Sequence, residues 1–298
     1  MAIAPAVEEW FSANKRELPW RAEGYSAWGI LVSEIMLQQT PVARVIPRLE
    51  QWLQRWPSPA ALADASAGEA VRAWERLGYP RRALNLHAAA VAITRDHGGV
   101  VPSRVDDLLA LPGIGAYTAR AVATFAYGIR TPVVDTNVRR VLARAIDGQA
   151  EAGPGSTSRD LAAMESQLPA DPARARNFNA GAMELGAVVC TARIPRCGVC
   201  PISAQCAWRL AGYPAYAGPR RAGQKRYEGS DRQVRGMILA ALRAHDSPIG
   251  ATELESVWPD ALQLTRALDG LLVDGLVVGS PDVGYTLPGE APGAARLG

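Results

Sequence analysis

Lysine is almost missing from this chain. Of its 32 basic residues only Lys15 and Lys225 are lysines; the rest are arginines. Arginine stays charged and forks onto phosphates, but it does not furnish the free amine that Schiff-base chemistry needs, so an amine nucleophile has only two places to sit. Long apolar runs are missing too. Hydrophobic residues make up 48% of the chain, yet no stretch approaches the roughly 20 apolar residues of a membrane-spanning helix, and no membrane crossing is expected. The N-terminal MAIAPAVEEWFSANKRELPW lacks a basic segment leading into an apolar one, so no secretory signal is read there and a cytoplasmic location is expected. Cysteine is scarce, and all four thiols fall within residues 190–206, reading CTARIPRCGVCPISAQC. In a reducing compartment such crowding points to a bound metal or cluster rather than to disulfides. Neither sign of charge dominates: the net charge of +3 and pI near 8.8 permit nucleic-acid binding without requiring it.

Strand-like alternation is also scarce. From about residue 5 to 210 apolar residues recur at three- and four-residue spacings, as in SAWGILVSEIMLQQ, RALNLHAAAVAITRDHG and NVRRVLARAIDG, which predicts a mainly α-helical body over residues 1–211. A Gly- and Pro-rich basic stretch over 212–230 reads as a linker. Over 231–290, three helical segments (DRQVRGMILAALRAH, ATELESVW, DALQLTRALDGLLVDG) and a hairpin in LVVGSPDVGYTL give the order of a small winged-helix-like α+β domain. Residues 291–298 read as a tail.

Three sites carry chemistry-bearing residues. LPGIG places Gly113 and Gly115 between two helical segments. Glycines there allow a tight turn with backbone N–H groups facing an anion such as a DNA phosphate, although a plain helix corner has the same pattern. Asp135 in VVDTNVRRVL stands where a helix begins, as an N-cap or as a reacting carboxylate. Glu34 lies in the apolar run SEIMLQQT. Burial would keep it protonated near neutral pH as a proton donor, whereas a salt-bridged structural glutamate is the rival reading. Two carboxyl groups in opposed environments suit protonation of a leaving group together with stabilisation of an oxocarbenium-like sugar.

Glu34 in SEIMLQQT, the LPGIGAYTA turn, Asp135 in VDTNVRRVL and the spacing C-x6-C-x2-C-x5-C occur in one order. Over about residues 5–210 the chain closely resembles the MutY family, adenine DNA glycosylases of the helix-hairpin-helix superfamily. The resemblance implies a glycosylase fold with an iron–sulfur cluster loop and an enzyme that hydrolyses the N-glycosidic bond of adenine mispaired with 8-oxoguanine or guanine, starting base excision repair. It assigns Glu34 as the general acid, Asp135 as the carboxylate that stabilises the cationic sugar, Tyr117 as a tyrosine between them and Asn137 as the residue orienting acid and water. Trp20, Arg21 and Leu37 correspond to pocket residues and Gln39 to an intercalating glutamine, with Gly113 and Gly115 in the DNA-contacting hairpin. Bifunctional relatives carry a lysine in that hairpin; Tyr117 stands in its place, which implies a monofunctional enzyme. The expected partner is double-stranded DNA with a mismatched or oxidised pair, bound by a monomer associated with the nucleoid.

Spacing alone leaves tetrahedral zinc and a [4Fe–4S] cluster open for Cys190, Cys197, Cys200 and Cys206; the resemblance implies the cluster. Arg193 and Arg196, between the first two, are expected to present charge to a phosphate. The chain also departs from the family. Pro80 replaces the second tyrosine of LGYY, Ala180 replaces the polar residue of FNQ or FNE, and Thr136 replaces the glycine of DGN. The family's Ser-His pair for 8-oxoguanine is absent, since the histidines are His87, His97 and His245. These changes keep two alternatives in view: a thymine or uracil mismatch glycosylase of the same superfamily, and a non-catalytic iron–sulfur DNA-binding regulator.

Overall fold

A computed structural model describes residues 2–219 and 226–290; residues 220–225 of the expected linker and the 291–298 tail lie outside the described residues. In chain order the helices are α1 (Ala4–Asn14), α2 (Ala27–Leu37), α3 (Val42–Arg55), α4 (Pro59–Ala63), α5 (Ala67–Trp74), α6 (Arg81–Asp96), α7 (Val105–Leu109), α8 (Ala116–Tyr127), α9 (Thr136–Ala145), α10 (Thr157–Glu165), α11 (Pro172–Val188), α12 (Ala207–Leu210), α13 (Asp231–Ala244), α14 (Ala251–Glu255) and α15 (Ala261–Val273). Strands β1 (Val278–Ser280) and β2 (Gly284–Thr286) follow. No helix among the described residues is long and apolar enough to cross a membrane. The described residues form two compact units, one from residues 2–34, 103–110 and 114–219, the other from residues 35–102, 111–113 and 226–290.

The first unit is organised around α11. Asp171 caps its N-terminus by accepting from the Arg174 amide at 2.8 Å, and Pro172 supplies a pre-set first helical residue. Helices α1 and α9 pack on it, and α10 and α12 pack on α9. Phe178, Leu185, Met164 and Val141 are buried together in this core; truncating a side chain such as Phe178 to alanine would cost about 3–5 kcal/mol. Close approach needs small residues on α11. A Cβ at Gly181 would lie 2.9 Å from Val7 Cγ1, and one at Gly186 would lie 2.7 Å from Asn137 Cβ.

In the second unit α5 starts with a reciprocal capping box between Ser66 and Glu69. Trp52 packs edge-on to Trp56 and Trp74, with ring centroids 4.6 and 5.6 Å apart. Beside them Arg82 is almost fully buried. It donates to the carbonyls of Ile35 (2.8 Å), Met36 (3.0 Å), Gln38 (2.6 Å) and Gly78 (2.9 Å) and to Thr40 Oγ1 (3.0 Å). One guanidinium thus satisfies orphan carbonyls at the end of α2 and ties two loops together. Burial pulls its pKa down to about 10.

The same unit contains the C-terminal helices and hairpin. Helix α13 packs on α15, and β1 pairs antiparallel with β2 through Val278↔Thr286 and Ser280↔Gly284. Helix α14 stops at Glu255, shorter than the ATELESVW expectation; Pro259 disfavours helical geometry at Trp258, whose indole donates to Gln263 instead (2.8 Å). This module sits on α5. The Gly68 amide donates to Pro288 O at 2.6 Å, Arg243 Nε to Val71 O at 3.0 Å, and Arg72 forks onto Glu290 at 2.9 and 2.8 Å. Residues 226–290 hold ten acidic residues against five arginines, a balance suited to self-packing and opposed to phosphate binding.

Candidate active site

Helix α2 carries Glu34 among Leu31, Ile35 and Met36, and the carboxyl is only 4% exposed. Tyr117, in the first turn of α8, donates its hydroxyl to Glu34 Oε2 at 2.8 Å. That contact leaves Oε1 available to carry a proton. Burial raises the Glu34 pKa from 4.5 to about 7; the Tyr117 bond opposes this, the Asp135 charge adds to it, and Arg21 opposes it. Tyr117 is held well above its ordinary value, first by burial and then by the two carboxylates, so it stays a neutral donor.

Asp135 fills the capping role that the sequence allows. It is the N-cap of α9, with Oδ1 accepting from the Val138 amide at 2.7 Å, while Oδ2 accepts from Asn137 Nδ2 at 2.7 Å. Burial raises its pKa, and the cap bond, the bonds from Asn137 and the Arg140 charge work against that rise. Two carboxyl groups that influence each other therefore differ in surroundings: one rests in an apolar helix with a single hydroxyl partner, the other on a helix N-terminus with several donors.

Behind Asp135 a chain of bonds runs to the cysteine loop. Arg140 Nη2 donates to Asn137 Oδ1 and to Gly186 O, both at 2.8 Å, and its Nε donates to Cys190 O at 2.7 Å. Arg144, 4% exposed, reaches Cys190 Sγ at 3.4 Å and Thr191 O at 2.8 Å and lies over the Trp208 ring at 4.7 Å. Cys190, Cys197, Cys200 and Cys206 line one pocket with Arg144 and Trp208 at its wall. Burial pushes the Cys200 thiol up to about 11. Arg196 is turned back onto Val188 O, with its Nη2 at 2.6 Å, so its guanidinium holds the loop; Arg193 and Ile194 remain exposed.

Trp20 and Arg21 lie in the short helical turn Pro19–Arg21. Arg21 donates to Glu184 Oε2 at 2.9 Å and to Arg16 O at 3.0 Å. Leu37 is the last residue of α2, and Gln39 follows in a turn with φ of 56°, one of the few non-glycine residues in the left-handed region. Gly113 has φ of 72°, and a Cβ there would lie 2.4 Å from Asn85 Cβ, so both conformation and space demand glycine. Gly115 caps α8 with ordinary extended geometry.

Glu34, Tyr117, Asp135 and Asn137 are thus linked by bonds or by charge, all within the first unit. Sequence reasoning missed Glu184, Arg16, Arg140 and Arg144. Glu184 bore the same signal that exposed Glu34: a lone carboxylate in an apolar helix, here NAGAMELGAVV.

A family model described as "HhH-GPD superfamily base excision DNA repair protein" matches residues 32–164. The adenine DNA glycosylase of Mycobacterium tuberculosis is 54% identical over 282 residues, covering 94% of this chain and 92% of its own. That of Mycolicibacterium smegmatis is 55% identical over 292 residues, covering 97% and 98%. Among solved structures, a thermostable thymine-DNA glycosylase superposes with a TM-score of 0.63 at 26% identity, covering 70% of this chain and 95% of that one.

Proposed function

Because this chain belongs to the adenine DNA glycosylase family, within the HhH-GPD superfamily of base excision DNA repair proteins, we propose that it removes adenine mispaired with 8-oxoguanine or guanine by monofunctional hydrolysis. The observation that carries the chemistry is the buried Glu34 carboxyl, bonded to the Tyr117 hydroxyl and kept protonated to about pH 7. Glu34 transfers its proton to a ring nitrogen of adenine, so the base departs neutral as the bond to the sugar breaks. The Asp135 carboxylate faces the cationic sugar, and water then adds to the same carbon, leaving an abasic site and a proton taken up by a carboxylate. Asn137, bonded to Asp135, orients that carboxylate and the water. No amine takes part: Tyr117 occupies the hairpin position where a lysine would act, and Lys15 is the single lysine among the described residues.

The target base must leave the duplex stack to reach these groups. Gln39 fills the gap it leaves, Trp20, Arg21 and Leu37 line its pocket, and the amides of the Gly113–Gly115 turn bind backbone phosphate. Cys190, Cys197, Cys200 and Cys206 hold a [4Fe–4S] cluster. The four thiols lie around one pocket, an all-sulfur donor set that suits the cluster and zinc alike, and the resemblance to the family favours the cluster. When bound, the cluster ties the loop into one fixed shape. The enzyme works as a monomer on double-stranded DNA in the cytoplasm.

Incubation with duplexes bearing A:8-oxoG, A:G, T:G and U:G, scored for abasic sites, tests the reading. Adenine release from the first two is expected; release of thymine or uracil alone would overturn it.

A further inference from the structure

Glu184 is a buried carboxylate with four hydrogen bonds, and the reaction described above makes no use of it. Its side chain is 1% exposed in the middle of α11. Oε1 accepts from the Arg16 amide at 3.2 Å and from Arg16 Nε at 2.6 Å; Oε2 accepts from Arg16 Nη2 at 2.8 Å and from Arg21 Nη2 at 2.9 Å. Arg21 also bonds Arg16 O at 3.0 Å and lies over the Phe11 ring at 5.2 Å. One buried carboxylate therefore fixes two guanidinium groups.

Arg21 is also the positive group that acts on Glu34, while Asp135 acts on it with the opposite sign and Tyr117 holds its Oε2. A guanidinium alone would favour the ionised, proton-depleted form of Glu34. With Glu184 at 2.9 Å, part of that charge is balanced and Arg21 is held in place.

We propose that Glu184 is a positioning residue for the acid: by clamping Arg16 and Arg21 it sets how much positive charge reaches Glu34, and so the pH range over which Glu34 can donate its proton. Burial pushes the Glu184 carboxyl up, but the bonds from Arg16 and Arg21 bring it down to about 2, so the clamp stays charged wherever the enzyme works. This inference rests on Glu34 being the acid.

The two partners of the clamp act in opposite directions. Glu184→Gln removes the negative charge and leaves Arg16 and Arg21 unbalanced. The basic limb of the single-turnover pH–rate profile should move down by about one pH unit, roughly tenfold slower excision at high pH, as for an opposite charge near a carboxyl group. Arg16→Met removes a positive charge at a side chain that is 41% exposed, and Glu184 then pairs with Arg21 alone; the limb should move up by a few tenths of a unit. General damage to the fold would lower the plateau in both variants and separate the limbs in neither. The profiles are measured on the full, cluster-loaded chain with an A:8-oxoG duplex, beside Glu34→Gln. If Glu34→Gln abolishes excision while both clamp variants leave the limb where it was, this inference falls and the acid assignment stands. If Glu34→Gln keeps wild-type excision, the acid assignment itself falls. Should Glu184→Gln fail to fold, an Arg16→Met limb that is unmoved or shifted down is enough to overturn the proposal.

Discussion

Replacing Glu34 with glutamine should make the protein more stable above neutral pH. In the folded chain the buried carboxyl keeps its proton to about pH 7, whereas its ordinary value is 4.5. Below pH 4.5 both folded and unfolded chains hold the proton and the group makes no pH-dependent difference. Between the two values folding must take up a proton, so stability falls as pH rises, by 1.36 kcal/mol per unit. Above pH 7 the full cost is felt, and the interval corresponds to about 3 kcal/mol. Glutamine stays neutral throughout, keeps an oxygen to accept from the Tyr117 hydroxyl (2.8 Å in the wild type) and relieves the repulsion from Asp135. Thermal unfolding of the cluster-loaded protein checks this. The Glu34→Gln midpoint should exceed the wild-type midpoint by roughly 6–10 °C at pH 8 and match it near pH 4.5. An equal offset at both pH values would refute the reasoning, since it would mean that the side chain carries no proton-linked cost.

Three further substitutions separate roles that share one residue or one helix. Asp135→Asn keeps an oxygen to accept from the Val138 amide, so unfolding should change by less than about 1 kcal/mol while single-turnover excision falls at least a hundredfold; a wild-type rate would reduce Asp135 to a cap. Gly186→Ala puts a methyl group 2.7 Å from Asn137 Cβ, and Gly181→Ala puts one 2.9 Å from Val7 Cγ1. Each should destabilise by about 1–3 kcal/mol, but only the first should also slow excision, because only it displaces the start of α9; equal rate losses would contradict that division.

How far the site could be read from the chain depends on the kind of signal each residue leaves. Glu34 was legible because a carboxylate amid Ile35, Met36 and Leu37 breaks a local pattern. Asp135 was legible as a helix start, and its two oxygens serve different partners, the Val138 amide and the Asn137 side chain. Glu184 broke its pattern just as visibly, but its meaning depends on Arg16, which is 168 residues away. Adjacent arginines were harder still. Nothing local says that Arg82 is buried against the carbonyls of Ile35 and Gln38 while Arg81 points to solvent beside Asp274, or that the guanidinium of Arg196 bonds the Val188 carbonyl. The helical order of the C-terminal module followed from spacing. Its seat on α5 did not, because Gly68, Arg72, Pro288 and Glu290 meet only through tertiary packing.

The central claim is that Glu34 donates the proton that frees the base. Its most direct test is single-turnover adenine release from an A:8-oxoG duplex by Glu34→Gln, with DNA binding measured on the same preparation. A loss of about 10²–10⁴ in rate, the usual contribution of a general acid, with binding retained is the result predicted; release at the wild-type rate would contradict it.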